Sequence, residues 1–103
     1  MKAFVVEKNH NDEIVSGVKD VIKPICGENE VIIKATYSSL NYKDALSSVG
    51  NPGVTRVFPH ITGVDVAGKI VESKSNIFKV KKKVIVTGYD LGMNTNGGHS
   101  QYV

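Results

Sequence analysis

Only one cysteine, Cys26, stands among the 103 residues, so an internal disulfide and every multi-cysteine metal site are excluded. Tryptophan is absent and aromatics make up 7% of the chain, so a core has to rest on Val, Ile, Leu and Ala. Arginine occurs once, as Arg56. A net charge of +3 without arginine clusters or an aromatic reader does not describe a nucleic-acid-binding surface. No apolar run approaches the roughly 20 residues of a membrane span. The short Ala3–Val6 run behind Met1-Lys2 cannot form a signal-peptide core. These absences predict a cytoplasmic, soluble chain with neither nucleic acid nor membrane as partner.

What remains is ordinary for a globular protein: 41% hydrophobic and 22% charged residues, enough for one small domain. Ala3–Val6 suits a first strand, and Asn9-His10-Asn11-Asp12 a turn. Ile14–Ile22 resumes a strand pattern, so a hairpin is predicted at the edge of the domain. Glu30–Ser39 is the strongest strand, with Ile33, Ala35 and Tyr37 on one face at period 2. It runs into Ser38-Ser39-Leu40-Asn41-Tyr42-Lys43-Asp44-Ala45-Leu46, the one credible helix start. Asn41 is placed to cap that helix by accepting from N–H groups two or three residues on, and Asp44 suits its positive first turn. Two helical turns over Tyr42–Ser48 would bury Ala45 and Leu46.

Val64–Ser73 and Val84–Thr87 read as further strands, with Gly68 marking a bulge or a close approach by another backbone. Ser100–Val103 begins one more. Many short strands and one short helix predict a mainly β, partly open, barrel-like domain. No G-x-G-x-x-G turn lies between a strand and a helix, so residues 1–103 are expected to carry no nucleotide-binding domain.

Local site signals are weak. No two His or Cys residues sit at a ligand spacing, and His60 and His99 read as surface or loop residues rather than ligands. Ser38, Ser39, His60 and Asp65 could be assembled into a triad, yet no nucleophile elbow surrounds either serine. Cys26 reads as a small half-buried residue before it reads as a reactive thiol. The run Lys79–Lys83 reads as a solvated turn before a phosphate contact. Gly97-Gly98 could bring backbone close to a ligand or supply positive φ.

Several pieces in consistent order carry more weight: Gly27-Glu28-Asn29-Glu30-Val31-Ile32-Ile33-Lys34, Ser38-Ser39-Leu40-Asn41-Tyr42-Lys43-Asp44, Pro59-His60-Ile61-Thr62-Gly63-Val64-Asp65-Val66-Ala67-Gly68, Val84-Ile85-Val86-Thr87-Gly88 and Gly97-Gly98-His99-Ser100-Gln101-Tyr102. Together they resemble the amino-terminal part of the medium-chain dehydrogenase/reductase superfamily. The Asn-Tyr-Lys-Asp element points to its zinc-independent branch of acryloyl-CoA reductases and quinone oxidoreductases. The resemblance implies a GroES-like β-barrel catalytic domain and NADPH as cofactor. It also implies hydride delivery to the β-carbon of an activated alkene, followed by protonation of the enolate.

Zinc-dependent relatives place a cysteine where Asn41 stands and a His-Glu pair where Val64-Asp65 stands, so the resemblance implies a mechanism without zinc. Asn41 and Tyr42 are then the expected catalytic residues, with Tyr42 also against the cofactor. Lys43 is expected in solvent, and Asp65 at a strand entry beside nearby backbone. Where the family has Pro-Gly-Asp-x, this chain has Val80-Lys81-Lys82-Lys83. The resemblance implies a full-length protein that continues through a nucleotide-binding domain and forms a homodimer. Alone, residues 1–103 are expected to be inactive and to self-associate through an unfinished barrel. The alternative reading is a stand-alone GroES-like interaction module.

Overall fold

The computed structural model describes all 103 residues, Met1 to Val103. Six strands and one helix follow in the order β1 (Lys2–Lys8), β2 (Ile14–Asp20), β3 (Val31–Tyr37), α1 (Tyr42–Ser48), β4 (His60–Ile61), β5 (Asp65–Ser73) and β6 (Lys83–Thr87). They form two antiparallel three-stranded sheets, ordered β2-β1-β4 and β3-β5-β6.

The β1–β2 hairpin closes over the Asn9–Asp12 turn, where the Asn9 side chain accepts from the Asn11 and Glu13 N–H groups. The sheets do not close into a barrel. They are joined by residues 99–103, which bond to both: the Phe4 N–H donates to His99 O and the Gln101 N–H to Lys2 O on one side. On the other side Ile33 and Val103 exchange backbone hydrogen bonds, and the Ala35 N–H donates to Gln101 O.

The core is correspondingly split. Ala3, Val5 and Ile61 form one buried cluster between β1 and β4; Ile33, Val66 and Ile70 form the other between β3 and β5. Ile32 and Ile33 are both buried because the β3–β5 register shifts between them, which breaks the alternation expected from the sequence. At Gly68 the strands approach so closely that a Cβ would lie 2.1 Å from Lys34 O, the close approach its position in the strand pattern predicts.

Helix α1 has the expected bounds but not the expected buried face. Ala45 is exposed and Leu46 half-buried, whereas Asp44 and Ser47 are buried. The cause is polar docking. Ser47 Oγ and Thr55 Oγ1 lie 2.5 Å apart, both fully enclosed, and fasten the last turn to the loop that follows. The Asp44 carboxylate fastens the first turn to the entry of β5.

Candidate functional site

The corner between β3 and α1 faces the start of β5, and the two are knitted by side chains. Asp65 Oδ1 accepts from the Ser39 N–H at 2.9 Å, while Oδ2 accepts from Ser39 Oγ at 2.5 Å and Asn41 Nδ2 at 3.1 Å. The same Asn41 nitrogen donates to Ser39 Oγ at 3.1 Å. The Ser39 hydroxyl is the largest of the influences that hold the Asp65 carboxyl below the usual carboxylate range. The Ser39 N–H, the Asn41 amide and, when its ring is protonated, His99 act in the same direction, against desolvation. Asp65 is therefore a strand-entry residue contacting nearby backbone, as expected, and also the acceptor that aims Asn41.

Beneath this pair lies Asp44, 4% exposed. Its Oδ2 accepts from the Asn41 N–H at 2.9 Å, the return half of a capping box, and its Oδ1 accepts from the Gly63 and Val64 N–H groups at 3.1 Å each. One carboxylate thus anchors the helix start and the chain entering β5 together. Asn41 is the N-cap residue, with φ −119° and ψ 162°. Its amide nitrogen is turned to Asp65, a contact the sequence reading of it as a simple cap does not include.

His99 closes the cluster. Nε2 lies 2.9 Å from Ser39 O, which can only accept, so Nε2 carries the proton; Nδ1, 2.7 Å from Thr62 Oγ1, accepts in the neutral ring. The ring also sits 3.9 Å from Asp44 Oδ2. His99 lies in a loop, one of the two settings expected for it, but is largely enclosed; His60 departs from both, standing in β4 and buried with Nε2 2.9 Å from Gly92 O. His60 is committed there, so the triad of Ser38, Ser39, His60 and Asp65 does not form. Cys26 is buried, its thiol donating to Glu30 O at 3.2 Å, and is a packing residue.

Gly97 and Gly98 are needed for room, not for positive φ. The Gly97, Gly98 and His99 N–H groups donate to Ile61, Gly63 and Thr62 carbonyls. A Cβ on Gly98 would lie 2.2 Å from Asp65 O. The glycines let the chain carrying His99 lie flat against the entry of β5, which places the imidazole on Ser39.

The site geometry turns on Asn41 Nδ2. Its two acceptors are 2.5 Å apart and each 3.1 Å away, so they subtend about 48° at the nitrogen. The two N–H bonds of a planar amide diverge by about 120°. One hydrogen therefore serves both acceptors as a bifurcated bond, and the second is left free at an exposed residue. Beside it Tyr42 is 78% exposed, outside the network that ties Ser39, Asn41, Asp44, Asp65 and His99. A concavity of about 360 Å³ opens at this place, lined by Phe4, Leu40, Asn41, Ala45, Thr62 and His99 among others.

Residues 27–103 match the family model of the alcohol dehydrogenase GroES-like domain. The chain belongs to the alcohol dehydrogenase GroES-like domain family. Relatives of this GroES-like chain include YhfP of Bacillus subtilis, named a quinone oxidoreductase, which is 38% identical over 101 residues covering 98% of this chain and 30% of YhfP. The acrylyl-CoA reductase AcuI of Ruegeria pomeroyi is 34% identical over 100 residues, 96% of this chain and 30% of AcuI. Among solved structures, the YhdH oxidoreductase of Salmonella enterica in complex with NADP superposes with a TM-score of 0.89 at 31% identity, over 100% of this chain and 32% of that one. The chain spans about 30% of the length of the curated relatives it matches.

The sequence pointed to Asn41 as a site residue but presented Asp65 only as a strand-entry residue and Asp44 only as a helix-start residue, and it did not bring Thr62 or His99 into a cluster. The Asn41-x-x-Asp44 spacing of a capping box was the available signal for Asp44. For Thr62 and His99 there was none.

Proposed function

We propose that this chain is the amino-terminal part of the catalytic domain of an NADPH-dependent reductase acting on an activated C=C bond, such as an enoyl thioester, a quinone or an enone. The observation that carries the proposal is the free Asn41 hydrogen. A donor held in place by an anion on its other side is suited to a carbonyl oxygen that gains charge as the alkene accepts hydride. Asp65 and Ser39 fix the amide's orientation beforehand, so little reorganisation is required when that charge develops.

Tyr42 is the residue of this chain that fits the cofactor. Its ring stands exposed on the first turn of α1 next to Asn41, with its hydroxyl available as donor and acceptor. NADPH, when bound, supplies the hydride. Tyr42 would lie against it and hold a proton near the enolate carbon. The neighbouring Asn41 binds the carbonyl, and the enclosed ring of His99 keeps the Ser39 backbone, and with it the corner, in position.

The test is steady-state kinetics of the full-length reductase with NADPH and an enoyl thioester or enone. Asn41→Ala is expected to lower kcat by about 10²–10³-fold, the scale of losing one preorganised donor. Tyr42→Phe is expected to lower kcat with a smaller change in KM. Unchanged kcat in both variants would remove this site assignment.

A further inference from the structure

Of the eight asparagines in the chain, Asn96 alone is followed by glycine. In an Asn-Gly pair no Cβ shields the glycine nitrogen, which can then reach the carbonyl carbon of the asparagine side chain. Here the glycine is imposed by the fold. A Cβ at position 97 would lie 2.3 Å from Gly63 O and 2.5 Å from Thr62 O. The room that lets residues 97–99 lie against the entry of β5 therefore also leaves Asn96 open to attack by its own main chain.

Both reacting groups are held by one residue. The Ile61 N–H donates to Asn96 Oδ1 at 3.1 Å, and the Gly97 N–H donates to Ile61 O at 2.8 Å. The Asn96 side chain thus stands in for a backbone carbonyl, and the pair docks on β4 as a neighbouring strand would. Ile61 is buried, whereas Asn96 is exposed to solvent. The chain is fixed on either side of this clamp. The Thr95 N–H donates to Asp90 O, and the Gly98 and His99 N–H groups donate to Gly63 O and Thr62 O.

We propose that Asn96 is a self-modification site: the Gly97 nitrogen closes on the Asn96 side chain when the Ile61 clamp opens, and the isoaspartyl product unseats His99. The Gly97 amide loses its proton to solvent base, and its nitrogen bonds to Asn96 Cγ. The Cγ–Nδ2 bond breaks, and the side-chain nitrogen takes up a proton and leaves as ammonia. Water then opens the five-membered imide. Addition at Cγ gives aspartate, with the main chain as before. Addition at the main-chain carbonyl carbon gives isoaspartate, whose main chain runs through Cβ and Cγ and is one carbon longer.

The clamp gates the first step, because the nitrogen and the side chain must each leave Ile61 before they can meet. The two products differ in consequence. Aspartate keeps an oxygen for the Ile61 N–H. Isoaspartate inserts a carbon between Thr95, tied to Asp90, and Gly97, tied to Ile61. Gly97 is packed against the Thr62 and Gly63 carbonyls and cannot absorb the extra length in place. Residues 97–99 are displaced with it, and the imidazole leaves Ser39 O. These are main-chain events that hold whether or not the chain reduces an alkene.

The experiment incubates the 103-residue chain in mildly alkaline buffer, folded and in denaturant, and resolves the forms of residue 96 by peptide mass spectrometry. Unfolded, Asn96 is expected to convert first among the eight asparagines. Folded, it is expected to convert at least about tenfold more slowly, since two hydrogen bonds must open first. As urea is raised below the unfolding transition, conversion and exchange of the Gly97 N–H are expected to rise in parallel. In the isolated isoaspartyl chain, the Gly97, Gly98 and His99 N–H groups are expected to lose exchange protection and the Ser39 resonances to shift. Asn96→Asp, which reproduces the other product, is expected to leave both unmoved, which separates the longer main chain from the new charge.

Equal conversion in the folded and unfolded chains would overturn the inference. So would an Asn96 that persists in the folded chain while the Gly97 N–H exchanges. An isoaspartyl chain that keeps its His99 protection, or an Asn96→Asp chain that loses it, would overturn the assigned consequence.

Discussion

One face of β5 holds two opposite treatments of charge four residues apart. At Asp65 the carboxylate receives the Ser39 N–H, the Ser39 hydroxyl and the Asn41 amide, and behind it Asp44 receives three backbone N–H groups. At Lys69 a cation is flanked by Lys34 on β3 and Lys83 on β6, in a row with no acidic partner. The first region is a closed network in which every acceptor is aimed. The second keeps electrostatic repulsion that a single Glu would relieve. Negative charge is used here to build, and positive charge is left available. That division leaves one row of charges without an opposing partner and one amide hydrogen without an acceptor.

The contrast is broken most severely at Asp44. Asp44→Ala should cost about 2–4 kcal/mol of stability, because three N–H groups, the buried one of Gly63 and the part-buried ones of Asn41 and Val64, lose their acceptor at about 1–3 kcal/mol each, with recovery by water at the part-buried two. Urea unfolding of the chain measures this. Asp44→Asn, which keeps one acceptor oxygen, should recover part of the loss.

On the cationic side substitutions should act in the opposite direction. Lys81, in the turn leading to β6, adopts φ +77°, where a side chain is strained by about 1–2 kcal/mol. This is the position of the family's Gly in Pro-Gly-Asp-x. Lys81→Gly should therefore stabilise by about 0.5–1 kcal/mol once the greater freedom of unfolded glycine is subtracted. Thermal unfolding decides it, and a destabilised variant would contradict the strain assigned to this turn.

Smaller still is Lys69→Gln. Removing two like-charge neighbours should raise stability by about 0.2–1 kcal/mol, and the gain should shrink as salt screens the wild-type repulsion. A loss at low salt would mean that Lys69 has a stabilising partner and that the row is not held at a cost.

Acid acts on the Asp65 region. Asp65 titrates below its ordinary range in the folded chain. Its contribution to stability is present above the unfolded carboxylate pKa of about 3.9 and is lost as pH falls through the lower folded value. Ser39→Ala, which removes the largest cause of that depression, should flatten the acid limb of a stability–pH curve, while the lysine row should leave that limb unmoved.

The strand pattern and the helix bounds were legible because they are local: period-2 apolar runs, an N-cap Asn and Gly stops encode β3 and Tyr42–Ser48 over a few residues. What the helix buries was not. Ala45 and Leu46 are the apolar choices, and the chain instead docks Asp44 and Ser47, because a seven-residue helix at a corner is held by hydrogen bonds to loops rather than by an apolar stripe. The Asn41–Asp65 bond spans 24 residues and depends on how β3 leaves its pairing with β5 at the register shift before Tyr37. His99 reaches Ser39 across 60 residues through a glycine-flattened loop. Such contacts have no local periodicity, and neither does the lysine row, which exists only once the three strands are placed in register.

The central claim is that Asn41 presents one held and one free amide hydrogen. Side-chain NMR of the 103-residue chain tests it directly, by hydrogen exchange at Asn41 Nδ2. The expected result is two well-separated proton resonances, one protected and one exchanging as freely as an exposed asparagine such as Asn11, with the protection lost when Ser39→Ala and Asp65→Ala remove both acceptors. Two Asn41 protons that exchange alike in the wild type, or protection that survives the double variant, would contradict it.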